Sequence, residues 1–181
     1  MEIAFGLIVV LVYFITWMYN RLVRARNVVL DAWSGIGVQL TKRHDLIPML
    51  ANVVKSYAKH ETDLLTQTTE LRAPRISDDT RKTEQREQSF GQQLNRIVVL
   101  AEDYPDIKAD QNFQQLQANL VAVEGDIGSA RRYYNGAVRE LNILVESFPS
   151  NLIAKQFSFE NGQFFELELP AMKASPQIKL S

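Results

Sequence analysis

Starting at residue 113 and stepping alternately three and four residues, the chain places Phe113, Leu116, Leu120, Val123, Ile127, Ala130, Tyr134, Ala137, Leu141, Leu144 and Phe148 on one line, and all are apolar. The intervening Gln114, Gln117, Asn119, Asp126, Arg132, Arg139 and Glu146 keep to the opposite side. This period predicts a helix over 110–148 with one face in a core. Val121, Val138 and Val145 widen the stripe, which suits a helix packed against more than one neighbour. Such a helix is on the order of 55 Å long at 1.5 Å per residue. It needs partners along most of its length.

The same spacing begins earlier, at Leu22, and runs through Val29, Trp33, Ile36, Leu40, Ile47, Leu50, Val54, Tyr57, Leu64 and Leu71, with Arg26 as an interruption. A break is expected near residue 45. Lys42 and Arg43 suit a helix C-terminus, Asp45 suits a cap, and Pro48 then falls in a first turn. A single helix kinked at Pro48 also preserves the register. The break is favoured because it gives helices of about 25, 27, 27 and 39 residues, a four-helix set with short connections. Ala73, Pro74, Arg75 and Ile76 read as a loop, with Ser77, Asp78 and Asp79 capping the third helix. Over 78–93 only Phe90 is clearly apolar, so this half-helix is expected to be weakly held or to pack on something outside the chain. Leu94, Ile97, Ala101 and Tyr104 restore the stripe, and Pro105 ends it. Asp106 and Asp110 are candidate caps for the long helix, and Pro149 stops that helix. Ser150 and Asn151 are candidate caps for a short element after it. Phe157, Phe159, Phe164 and Phe165 around Asn161-Gly162 suggest a hairpin or extended strip, lying on a bilayer surface or plugging the bundle end.

The fold expected is all-α: an N-terminal transmembrane helix followed by an elongated up-and-down four-helix bundle with long antiparallel helices. Residues 1–20 form the anchor, 21–157 the bundle, and 158–181 a Phe-rich strip and flexible tail. The anchor rests on 3–19, which carry no charge and reach about 26 Å as a helix, near the thickness of a bilayer core. Trp17 and Tyr19 stand where interfacial aromatics belong. A secretory signal would need a basic start and a small-residue cleavage site, and neither is present. Arg21, Arg24 and Arg26 follow the span and no Lys or Arg precedes it, so the positive-inside rule puts the N-terminus outside and the helical body in the cytoplasm. A reporter fused after Ser181 is expected to behave as cytoplasmic; periplasmic activity would refute that orientation.

Composition narrows function by exclusion. With 20 Lys and Arg against 21 Asp and Glu, the charge gives no footprint for nucleic acid. There is no cysteine, hence no disulfide, thiolate metal site or thiol nucleophile. The two histidines, His44 and His60, do not build the paired Glu-x-x-His pattern of bundle metal sites, and no His-Glu-x-x-His occurs. Phosphate loops and nucleophile elbows are absent too. No cofactor, metal or small-molecule substrate is expected. What remains are polar groups beside the apolar seams: Arg43, His44 and Asp45; His60 and Glu61; Tyr104 and Asp106; Arg131, Tyr134 and Asn135. They read either as a docking patch or as caps and inter-helix hydrogen bonds, since buried polar groups must be paired. Glu102, Asp106 and Glu124 are the carboxylates considered for Arg131.

Several stretches resemble the LemA family of bacterial membrane proteins. They are Tyr19-Asn20-x-Leu22-Val23, Arg43-His44-Asp45-Leu46-Ile47-Pro48, Tyr57-x-x-His60-Glu61, Tyr104-Pro105-Asp106-x-Lys108-Ala109, Ala130-Arg131-x-x-Tyr134-Asn135 and Phe148-Pro149-Ser150-Asn151-Leu152-Ile153-Ala154. The resemblance implies one N-terminal membrane helix in the bacterial inner membrane, a bundle of long helices, no established enzymatic activity and a loose association with membrane-protein maintenance. Two functions follow as expectations. One is a homo-oligomeric scaffold using apolar positions such as Val121, Ala122, Tyr133 and Ile143. The other is an adaptor that docks on another membrane protein, such as a protease or assembly factor, through 78–93. The partners expected are the lipid bilayer and either further copies or that membrane protein.

Overall fold

The computed structural model of the chain describes residues 1–57 and 80–166. Those residues form α1 (Glu2–Tyr57), α2 (Thr80–Glu102), α3 (Pro105–Ala109), α4 (Gln111–Glu146) and α5 (Ser150–Gln156), with no strand among them. The protein is all-α, with a long apolar N-terminal helix followed by a helical body. The loop expected at 73–76, its caps, and the tail at 173–181 lie outside the described residues.

The break expected near residue 45 is not there: α1 is continuous, with Pro48 in its interior. The proline removes the helix bond to the carbonyl of His44 and costs about 3 kcal/mol. Ile47, Leu50 and Val54, all fully buried, each contribute about 1.5–3 kcal/mol in return, and the unbroken helix keeps them in register with the buried Ile36 and Leu40 before them. Arg43 and Asp45 therefore do not end and start helices. Arg43 is buried and Asp45 is exposed.

The chain divides into two compact units. The first comprises Met1–Val38 and Gly128–Phe164. Over most of the uncharged run its α1 residues are bare: Ile3, Phe5, Leu7, Ile8 and Leu11 are all exposed, and α1 is the one described helix long and apolar enough to cross a membrane. Further along, Leu22 packs with Leu144, Ala154 and Phe159. Phe148, the last position of the α4 stripe, is exposed, because α4 ends at Glu146.

The second unit comprises the described parts of Gln39–Ile127 and Phe165–Ser181. Its core joins Ile47, Leu50, Ala51 and Val54 of α1 to Phe90, Leu94, Ile97 and Ala101 of α2, Ile107 of α3, and Phe113 and Leu120 of α4. Tyr57 of α1 meets Asp110 at the start of α4, and Arg43 meets Glu124. Moving back along α1 therefore moves forward along α4 by the same number of residues, so the two segments are antiparallel in this unit. Pro105 places Tyr104 in extended backbone (φ −116, ψ 96) and separates α2 from α3, as expected. Phe165 is fully buried, and the backbone N–H of Glu166 donates to Glu84 Oε1 at 2.6 Å.

The half-helix that looked empty has an inner face from residue 80 onward. Thr80, Thr83, Glu87 and Phe90 are all buried and continue the alternating spacing backwards from Leu94. This overturns the expectation that 78–93 lacks an intramolecular face. Its seam is polar rather than missing.

Of the hairpin or extended strip expected after α5, no hairpin forms among the described residues, and 157–166 is chain without regular secondary structure. The reversal happens at Ser158, whose φ of 55° is left-handed. Ser158 N–H bonds to Lys155 O at 3.4 Å and Phe159 N–H to Ala154 O at 2.9 Å, the paired bonds of a Schellman cap on α5. Phe159, buried against Ala154 and Ile153, supplies its hydrophobic contact. Ser150 does not cap α5: Pro149 holds that position, and Ser150 Oγ donates to Ser147 O at 2.9 Å.

Candidate functional site

The most unusual chemistry lies in the second unit, where four ionisable side chains from three helices meet in the core. Arg43 occupies a seam position of α1, between Leu40 and Ile47, and Glu87 occupies one of α2. The Arg43 guanidinium pairs through Nη2 with Glu87 Oε2 and through Nη1 with Glu124 Oε1 of α4, the latter at 3.1 Å. His44 Nε2 lies 2.9 Å from Glu87 Oε1 and must donate, because a carboxylate oxygen only accepts. The Phe90 ring closes one side, edge-on to His44 with centroids 4.2 Å apart and 5.7 Å from the Arg43 guanidinium carbon. The Arg43 and Glu87 side chains are each 1% exposed, whereas Glu124 is 24% exposed.

Burying a lone charge is prohibitive, and a buried pair survives only when its hydrogen bonds are well satisfied. Glu87 uses both oxygens, one for Arg43 and one for His44. Arg43 Nε and Glu124 Oε2 have no hydrogen-bond partner among the described residues. The cluster can therefore fix the mutual register of α1, α2 and α4, since a one-turn slip of any of them would strand a charge in apolar surroundings. No group of three or more His, Asp or Glu placed to hold a metal ion occurs among the described residues.

A second polar contact joins α1 to the start of α4. Asp110 Oδ1 accepts from the N–H groups of Asn112 at 2.7 Å and Phe113 at 3.1 Å, capping α4, while Oδ2 accepts from the Tyr57 hydroxyl at 2.9 Å. The Phe113 N–H, then the Tyr57 hydroxyl, hold the Asp110 carboxyl below its ordinary range. The same hydrogen bond to Asp110 pushes the Tyr57 phenol up.

In the first unit polar groups hold the segment that follows α5. Tyr134 is buried, packs tilted against Trp33 with ring centroids 5.2 Å apart and donates to Gln163 O at 2.9 Å. Asn142 makes a two-point clasp on Gly162, accepting its N–H at 2.8 Å and donating to its carbonyl at 3.1 Å. A Cβ at Gly162 would come within 3.3 Å of Val138, so glycine permits that approach. Around the end of the apolar run, Tyr19 packs on Phe157 at 4.9 Å and Phe159 at 5.8 Å, while Arg21 and Arg26 lie over the rings of Trp17 and Phe159. Arg24 bonds within the helix to Asn20 O at 3.3 Å.

The described residues among those marked out in the sequence divide between the two units. Arg43 and His44 come together, Asp45 and Asp106 are exposed, and Tyr104 is half-buried as the N-cap of α3. Arg131, Tyr134 and Asn135 belong to the first unit, and each is engaged in an interaction. His60 and Glu61 lie outside the described residues. Glu87 was missed, and Glu124 was considered only for Arg131. Continuing the period backwards from Leu94 lands on Phe90 and then Glu87, an acidic residue in a core position, and the same stepping on α1 lands on the basic Arg43.

The LemA family model matches residues 32–180 of this chain. Magnetosome proteins MamQ 2 and MamQ 1 of Paramagnetospirillum magneticum are each 32% identical over 82 residues, 45% of this chain and 30% of theirs. Protein LemA of Metamycoplasma hominis is 24% identical over 151 residues, 81% of this chain and 68% of its own. The chain thus matches less than a third of the length of these MamQ relatives. The family match takes in α2, α3, α4, α5 and the part of α1 that carries Arg43 and His44, and the chain belongs to the LemA family.

Proposed function

We propose that this protein is a non-enzymatic scaffold, anchored by α1 in the bacterial inner membrane with its helical body in the cytoplasm, and that it self-associates there in support of membrane or membrane-protein maintenance. The observation that carries the reading is the bare apolar surface of α1 over the uncharged run, in a helix that continues to Tyr57. Membership in the LemA family supports the membrane association. That relatives are named for the magnetosome rather than for a reaction fits an assembly role. The ionisable groups of the buried cluster are engaged with one another, which favours a structural use over a catalytic one.

Self-association is favoured over an adaptor role for a physical reason. The face once available on the polar half-helix is occupied by Arg43 and His44, whereas Val121, Tyr133 and Ile143 of α4 remain exposed. Anchoring confines copies to a plane and raises their effective concentration, so modest apolar contacts suffice. In-cell cross-linking of the full-length protein with mass spectrometry of the products tests this. A ladder of self-adducts with links between copies of α4 is expected. One stoichiometric foreign partner and no self-adduct would overturn the scaffold and favour the adaptor.

A further inference from the structure

The end of the apolar run and the turn after α5 are in direct contact, and their chemistry suits a lipid surface. Tyr19 is the last residue of the apolar run and stands at interfacial depth if that run spans the bilayer. Phe157 lies 4.9 Å from it, ring to ring, and Phe159 lies 5.8 Å away. The headgroup zone on each side of a bilayer core is about 5–8 Å deep. A ring in contact with Tyr19 is therefore held in that zone or at its edge. Phe159 faces inward and is buried, but Phe157 is 50% exposed. Nearby in the chain, Phe148 is 79% exposed and Leu152 is 60% exposed, while Ala154 of the same short helix is buried in the core. Lys155 is also exposed, and Arg21 projects beside Trp17. Apolar side chains flanked by cations is the pattern of a segment lying in an anionic interface.

We infer that residues 148–157 form a second membrane contact, with Phe148, Leu152 and Phe157 inserted into the headgroup region of the leaflet from which α1 emerges. The inference rests on the anchor reading above. The occupant is the bilayer itself because Tyr19, which touches the patch, belongs to the span. The phenylalanines consequently divide in role: Phe159 and Phe165 fill the interior, whereas Phe148 and Phe157 meet lipid. The Schellman cap at Ser158 separates the two sets by turning the chain inward.

The chain has no cysteine, so single labels can be placed without background substitutions. Full-length Leu152→Cys, Ile8→Cys and Ser89→Cys variants would carry a nitroxide in nanodiscs containing anionic lipid, Ser89 being exposed on α2 and not on the α4 face proposed for self-association. Collision with molecular oxygen, which concentrates in lipid, is compared with collision with a water-soluble nickel chelate. The expected oxygen-to-nickel ratio at Leu152 is severalfold above that at Ser89, between it and the value at Ile8. A ratio at Leu152 equal to that at Ser89, with Ile8 in the bilayer core, overturns the surface contact and leaves the anchor standing. A water-like ratio at Ile8 overturns the anchor and the contact together.

Discussion

Glu87 is the residue whose loss the structure makes most costly. In a Glu87→Gln variant the carboxylate shared by Arg43 and His44 becomes a neutral amide, while the Arg43 guanidinium stays 1% exposed. Removing one partner of a buried ion pair costs about 3–5 kcal/mol, because the surviving charge has lost its compensation. Glu124 still holds Arg43 at 3.1 Å, and being 24% exposed it moderates rather than abolishes the penalty. The lower end, about 3 kcal/mol, is therefore expected, and for a chain of this size it lowers the melting temperature by roughly 6–12 °C. Glu124→Gln should cost less, about 1 kcal/mol, because its charge is partly hydrated already. Circular dichroism melts of the full-length protein in mild detergent measure both. Combining Arg43→Met, His44→Leu, Glu87→Leu and Glu124→Gln removes all the charges of the network together and is expected to recover most of the stability, as apolar replacements of buried ion networks do. A Glu87→Gln variant that melts within a degree or two of the parent would refute the reasoning.

Three further outcomes follow from other contacts. Tyr57→Phe removes the hydroxyl that holds the Asp110 carboxyl low. Its destabilisation should be fully present at neutral pH, fade as the pH falls through the lowered Asp110 value, and fade again as it rises through the raised Tyr57 value. Melts across pH check this, and a difference that does not vary with pH would contradict it. Asn142→Ala loses both bonds to Gly162, about 1–2 kcal/mol. It should speed chymotrypsin cleavage within 157–166 while helical content is retained, and an unchanged rate would count against the clasp. Ser158→Gly relieves a left-handed residue and should stabilise α5 and its cap by about 0.5–1 kcal/mol, read as a higher melting temperature; a decrease would show that the hydroxyl contributes more than the backbone costs.

The long helices were legible because their apolar residues repeat on the 3.6-residue period, and Asp110, Pro105 and Pro149 act locally as their residue types require. The break near residue 45 was misread because Lys42, Arg43, Asp45 and Pro48 each carry a boundary signal. Tertiary burial of Ile47, Leu50 and Val54 outweighs them. The network was half legible. A seam is recognised by being apolar, so a position held by Glu87 looks like its end until Arg43 is seen opposite. That pairing is between elements and leaves no local trace in the sequence. Ser158 was opaque for a different reason: left-handed backbone is read from Gly or Asn, and Asn161-Gly162 drew attention to a site that serves as a clasp.

The measurement that bears most directly on the account is the number of copies per assembly. Counting photobleaching steps of the fluorescently tagged full-length protein, extracted at native abundance with its surrounding lipid, gives it without a partner having to be known. The scaffold predicts several steps per particle, falling when exposed Val121 and Tyr133 of α4 are replaced by Lys and Glu. A single step per particle at native abundance would contradict self-association.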